Sequence, residues 1–152
     1  MRRPNLKMFL SAALLTLTGL GHAETPVNFD MQKYAGKVVL VDFWASWCGP
    51  CRQSFPWMKA LQDKYGKQGL VVAAINVDAD RKEADLFLKE YAPNFDVYFD
   101  AKGRLAEQFK VQTMPTSFLV DATGKARSKH AGFHHSTLAA YEQEIQSLLK
   151  AR

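Results

Sequence analysis

The sequence predicts a single α/β domain, a mixed sheet flanked by helices, and three observations carry that prediction. Two continuous apolar runs, Val38-Val-Leu-Val41 and Leu70-Val-Val-Ala-Ala-Ile-Asn-Val77, read as central strands covered on both faces. Between and after them lie segments whose apolar residues recur at helical spacing. A strand–turn–strand pattern and a last amphipathic helix close the chain, so strand–helix alternation ends in a hairpin packed by a helix. The length, 152 residues, suffices for one domain with a substantial core and not for two ordinary ones. An apolar content of 47% and a charged content of 23% are globular values, without extended disorder.

In chain order, residues 1–23 read as a secretory signal peptide. Arg2, Arg3 and Lys7 form a positive start, Met8 to Leu20 an apolar stretch of about 13 residues, and Gly21-His22-Ala23 a small-residue cleavage site. The stretch is shorter than the roughly 20 residues that span a bilayer comfortably, so cleavage is expected over an uncleaved anchor. No cysteine lies near the cleavage point, against a lipoprotein. The mature domain, residues 24–152, is then expected in an oxidising compartment, most simply a bacterial periplasm. Arg2, Arg3 and Lys7 also account for three of the +5 formal charges, leaving +2 on the rest. With no basic patch interleaved with aromatics, nucleic-acid binding is not expected.

Glu24 to Gly36 is a lead-in offering Val27, Phe29 and Tyr34 to the domain edge. After the first strand a helix is predicted from about Pro50 to Tyr65, with Phe55, Met58, Leu61 and Tyr65 facing the sheet and Pro56 expected to kink it. Gly66 and Gly69 end it before the second strand. Asp80-Arg-Lys-Glu83 has the form of a capping box opening a helix to about Tyr91, with Ala84, Phe87, Leu88 and Tyr91 inward. Val97 to Phe99 reads as a strand, Asp100 to Gly103 as a turn and Arg104 to Phe109 as a short helix. Ser117 to Val120 and Lys125 to His130 form the hairpin around Asp121-Ala-Thr-Gly124. The last helix runs from about Ser136 to Lys150, with Leu138, Tyr141, Ile145, Leu148 and Leu149 on one side.

The chemistry concentrates where the first strand ends. Cys48 and Cys51, the only two cysteines, flank Gly49-Pro50, which break the strand and open the helix. The sulfurs therefore sit three residues apart at a helix N-terminus, close enough to bond to each other. The partial positive charge there favours a thiolate. A zinc site needs further Cys or His ligands, and no second cysteine pair supplies them. A purely structural bridge across so short a loop stabilises little. Redox chemistry is the favoured reading.

Val41-Asp-Phe-Trp-Ala-Ser-Trp-Cys-Gly-Pro-Cys51 resembles the active-site strand and turn of the thioredoxin superfamily, and Met114-Pro-Thr-Ser-Phe118 resembles its proline loop. The resemblance covers nearly the whole mature chain and implies the thioredoxin fold. The helix and strand between about Asp78 and Lys110 are an insertion similar to that of the periplasmic TlpA/ResA/CcmG branch. On this resemblance Cys48 is the nucleophile, expected to be partly exposed, and Cys51 resolves the mixed disulfide. Asp42, a carboxylate in an apolar strand, is costly unless paired or protonated. The resemblance implies that it exchanges a proton with the inner cysteine, its pKa raised by desolvation. Thioredoxins often add a lysine on the next strand; the matching position here is Ala74. Pro115 resembles the superfamily's cis-proline, presenting Met114 as an edge on which an extended substrate pairs. Trp47, Gly49, Pro50, Met114 and Thr116 are the expected substrate contacts, with Trp44 largely core and Gly132 at the groove. His130, His134 and His135 are not expected to form a metal site, since the last two are adjacent in sequence.

The resemblance implies a protein-disulfide reductase. It needs no cofactor beyond the Cys48–Cys51 disulfide, acts as a monomer on disulfide-containing proteins and is recharged by a membrane electron donor of the DsbD/CcdA type. The reducing direction follows from Gly49-Pro50, the dipeptide of thioredoxin, with no histidine between the cysteines to stabilise a thiolate further. Apocytochrome c is one family substrate, as in cytochrome c maturation, but Thr113-Met-Pro-Thr116 stands where CcmG-type proteins carry Gly-x-Pro-Glu. A disulfide oxidase or isomerase, and a copper-binding assembly factor for a respiratory oxidase using the two cysteines and a histidine, are the alternatives.

Overall fold

The computed structural model describes residues 27–152; the signal peptide expected over residues 1–23 lies outside them. Five strands form one sheet in the order β3-β2-β1-β4-β5. β1 (Val38–Trp44) is central, parallel to β2 (Leu70–Asn76), which is parallel to β3 (Asp96–Phe99). On its other side β1 runs antiparallel to β4 (Thr116–Val120), which pairs antiparallel with β5 (Ala126–Ala131). Every residue of β1 is buried, as its unbroken apolar run requires of a strand covered on both faces.

One face of the sheet is covered by α1 (Gly49–Tyr65), α2 (Arg81–Tyr91) and α4 (Leu138–Lys150). Val38, Leu40 and Trp44 meet Phe55, Met58, Leu61, Tyr65, Phe87, Tyr141 and Ile145 there. The opposite face buries Val39, Val41 and Phe43 against Tyr34, Phe118 and α3 (Arg104–Gln108), whose Ala106 is buried. The expected kink site, Pro56, lies within α1, which continues past it to Tyr65. Helix α1 starts at Gly49 rather than Pro50, and Cys48 is its N-cap.

Within the insertion, Asp80 caps α2 by accepting the Lys82 N–H at 2.9 Å, one residue short of the Glu83 N–H that a capping box would use. α2 is fastened by aromatics. Phe87 lies 4.7 Å from Trp44, 4.8 Å from Phe55 and 4.3 Å from Tyr91 between ring centres. The lead-in is pinned by Tyr34, whose hydroxyl bonds Asp96 and Tyr98 on β3. Among the described residues no helix is long and apolar enough to cross a membrane.

Candidate active site

Cys48 and Cys51 are joined by a disulfide, their Cα atoms 5.3 Å apart, where β1 gives way to α1. The Cys51 N–H points at Cys48 Sγ at 3.2 Å, so when the bridge opens the helix terminus stabilises negative charge on that sulfur. The expectation of a partly exposed Cys48 is corrected. In the disulfide state it exposes 3% and Cys51 none, because the half-cystines pack into the core cluster with Trp44 and Phe55. What stands in solvent is their surround: Trp47 is 70% exposed, and Gly49 and Pro50 are exposed.

The loop carrying Trp47 is held from below. The buried Asp78 carboxylate accepts the Ser46 N–H at 3.0 and 3.2 Å and the Asn76 amide at 2.8 Å. Arg52 donates to the Ser46 carbonyl at 3.1 Å. Sequence alone does not single out Asn76 or Asp78; the available signal is a pair of polar residues where an otherwise apolar strand ends.

Asp42 is 1% exposed on β1. Strand alternation turns its side chain to the face of Leu40 and Trp44, the face that α1 and the disulfide cover. Ala74 is its neighbour on β2, so the lysine that the resemblance would put beside the carboxylate has no counterpart at that position. Ser117 is its neighbour on β4, and Ser117 Oγ donates to Asp42 Oδ1 at 2.7 Å. Asp42 Oδ2 is buried without a protein hydrogen bond. Desolvation pushes the carboxyl up from its ordinary 3.8 to about 7, against the opposing pull of the Ser117 hydrogen bond. Sequence alone marks Ser117 only as a strand residue, because its contact with Asp42 depends on a pairing of residues 75 apart in the chain.

The Met114–Pro115 peptide bond is cis. Met114 is half-buried and packs against both core clusters. The Pro115 carbonyl accepts the Gly132 N–H at 2.8 Å, which ties the proline loop to the end of β5. Gly132 has φ +79°, and a Cβ there would lie 3.0 Å from His134 Nε2, so glycine suits the position on both counts. Thr116, an expected substrate contact, turns its side chain into the interior. Its side chain is wholly buried and its hydroxyl donates to the Thr113 carbonyl at 2.8 Å, so it braces the proline loop from inside. Trp44 is entirely core, as expected. The histidines are engaged separately: His130 with Glu144 at 3.0 Å, His135 with Gln53 at 3.1 Å.

The sequence model of the Redoxin family matches residues 9–145. Among curated relatives, the thiol-disulfide oxidoreductase ResA of Bacillus thuringiensis subsp. konkukian is 34% identical over 98 residues, 64% of this chain and 57% of its own. ResA of Bacillus cereus strain ZK is 33% identical over 119 residues, 78% of this chain and 69% of its own. The chain thus spans under two thirds of the first of these relatives. Among solved structures, a proposed thiol:disulfide interchange protein DsbE from Chlorobium tepidum is 47% identical, with a TM-score of 0.77 over 78% of this chain and 84% of that one. The thioredoxin fold follows from that likeness, and the chain belongs to the Redoxin family as a ResA/CcmG-like member of the thioredoxin superfamily.

Proposed function

We propose that the protein is a protein-disulfide reductase working outside the cytoplasm, in a bacterial periplasm. The observation that carries this is the Cys48–Cys51 disulfide at the N-terminus of α1, ringed by the exposed Trp47, Gly49 and Pro50. In the reduced protein the Cys48 thiolate attacks a substrate disulfide. One S–S bond forms as the substrate's breaks, and a substrate thiolate leaves. Cys51 then gives its proton to Asp42 and attacks Cys48 Sγ. The second substrate thiolate departs, and the two electrons of the dithiol have passed to the substrate. A membrane donor of the DsbD/CcdA type returns them. Substrate segments lie in extended form beside Met114 and against Trp47. The names of the ResA and DsbE relatives support thiol–disulfide exchange, and Gly49-Pro50 supports the reducing direction.

Replacing Cys51 by serine tests this. The variant should accumulate a mixed disulfide through Cys48 when mixed with a disulfide-bonded protein, and Cys48→Ser should form none. Trapping through neither variant would overturn the assignment.

A further inference from the structure

Asp42 must take up and lose a proton in each cycle of this reading, yet it is 1% exposed and walled on most sides by apolar groups. Its neighbour on β2 is Ala74, which cannot titrate, and the disulfide lies in the cluster covering the face that Asp42 shares with Leu40 and Trp44. Among the described residues, the side-chain hydrogen bond that Asp42 makes runs sideways through the sheet, to Ser117. The registers place Asp42, Ser117 and His130 in a single row across β1, β4 and β5. Ser117 donates through Oγ to Asp42, and the same residue lines a pocket of about 210 Å³ whose walls include Ser54, Trp57, His130, Gly132 and Tyr141. Such a volume, with polar groups on several sides, accommodates several water molecules.

The His130 ring stacks on Tyr141, centres 3.8 Å apart, and its Nε2 meets Glu144 Oε2 at 3.0 Å. The side chains of His130 and Glu144 are 26% and 41% exposed, so this pair reaches solvent. Tyr141 keeps its proton: burial above all holds its phenol far above the ordinary range, against an opposing pull from Ser117 and with the Asp42 and Glu144 carboxylates adding to the rise. Lys129, in the same wall, sends its ammonium to the Lys110 carbonyl, and His134 sits beside Gly132 at the rim.

We propose that Ser117 and the pocket behind it are the path by which Asp42 exchanges its proton with solvent, with His130 and Glu144 as the outer station. In the outward step the Asp42 carboxyl donates to Ser117 Oγ while Ser117 passes its own proton to a pocket water. That water protonates His130, which releases the proton to bulk water. At each transfer one bond to hydrogen breaks as another forms, O–H at Ser117 and the water and N–H at His130, and the hydroxyl is regenerated. Ser117 is thus a positioning residue for the carboxylate and a link in its exchange. The proposal rests on the reading of Asp42 as the proton acceptor of Cys51.

The test compares Ser117→Thr with Ser117→Val, equal in volume and differing in the hydroxyl; Ser117→Ala serves if valine does not pack. The first readout is the titration of the Asp42 carboxyl followed by carbon-13 NMR in the oxidised protein, assigned against Asp42→Asn. Valine should raise the midpoint by about one pH unit or more, as loss of a hydrogen bond to the charged form requires, and threonine should leave it in place. The second readout is dithiothreitol-driven reduction of a disulfide-bonded peptide in dilute buffer. His130→Phe, which preserves the stack on Tyr141, should slow turnover several-fold without moving the Asp42 midpoint, and added imidazole should restore it. Valine and threonine variants with the same midpoint and turnover, or a His130→Phe enzyme at full speed, would overturn the path. If Asp42→Asn itself kept the wild-type pH profile, the reading of Asp42 would fall first. A flattened Asp42→Asn profile with indifferent Ser117 variants would sink the path alone.

Discussion

Substituting asparagine for Asp42 should make the protein more stable at alkaline pH relative to acid, and the size of the effect follows from burial. The folded carboxyl titrates at about 7, against 3.8 for an ordinary aspartate such as that of the unfolded chain. Because the folded value is the higher, the folded state holds the proton more tightly. Stability is therefore fullest below about pH 4, falls as the pH rises toward about 7, and is level above that. At 1.36 kcal/mol per pH unit the full span amounts to about 4 kcal/mol, of which about 3 kcal/mol falls between about pH 4.5 and pH 8. Oxidised wild type and Asp42→Asn, unfolded in urea without reductant at a series of pH values, share every other titrating group. Their difference therefore isolates this one. The wild type should lose about 3 kcal/mol relative to the variant across that window. Curves that run parallel within about 0.5 kcal/mol would mean that Asp42 is not a desolvated carboxyl, and the reasoning from its burial would be wrong.

Three further outcomes test the structure around the site. Asp78→Ala strands the Ser46 N–H and the Asn76 amide in the interior, and should cost about 2–4 kcal/mol in denaturant unfolding; an unchanged midpoint would show that the loop does not hang from this carboxylate. Phe87→Ala removes the ring that joins α2 to Trp44 and Phe55 and should cost about 3–5 kcal/mol, with faster amide hydrogen exchange across Arg81–Tyr91 as the check on where the loss falls. Trp47→Ala, at a side chain that lies in solvent, should leave stability within about 0.5 kcal/mol while lowering kcat/KM toward protein disulfides; equal catalytic efficiency would remove Trp47 from the docking surface.

Much of the fold was legible because its strands are long apolar runs and its helices keep a clean period. Val38–Val41 and Leu70–Val77 could hardly be anything but central strands, and Phe55, Met58, Leu61 and Tyr65 all point where their spacing says. The cysteines and Asp42 stood out because each violates its surroundings, a dithiol at a strand end and a carboxylate in a greasy strand. What could not be read was anything that depends on who sits beside whom. Ser117 is an unremarkable serine until β4 lies antiparallel to β1, and Asp78 an ordinary acid until the Ser46 loop folds over it. Thr116 shows the reverse case. Its place in a motif suggests substrate contact, but strand alternation puts its side chain on the face of Phe43, opposite the face of Ser117 and Asp42, and β4 is buried on both faces. Cys48 was expected nearer the surface because a helix N-terminus usually is, whereas the disulfide draws it into the core cluster.

The central claim is that this dithiol delivers electrons rather than removing them, and the reduction potential of the Cys48/Cys51 couple tests it most directly. Equilibrated in a glutathione or dithiothreitol redox buffer, the couple should settle near or below roughly −220 mV, among the reducing members of the superfamily. A value near roughly −120 mV would place it with the oxidants and contradict the reductase assignment.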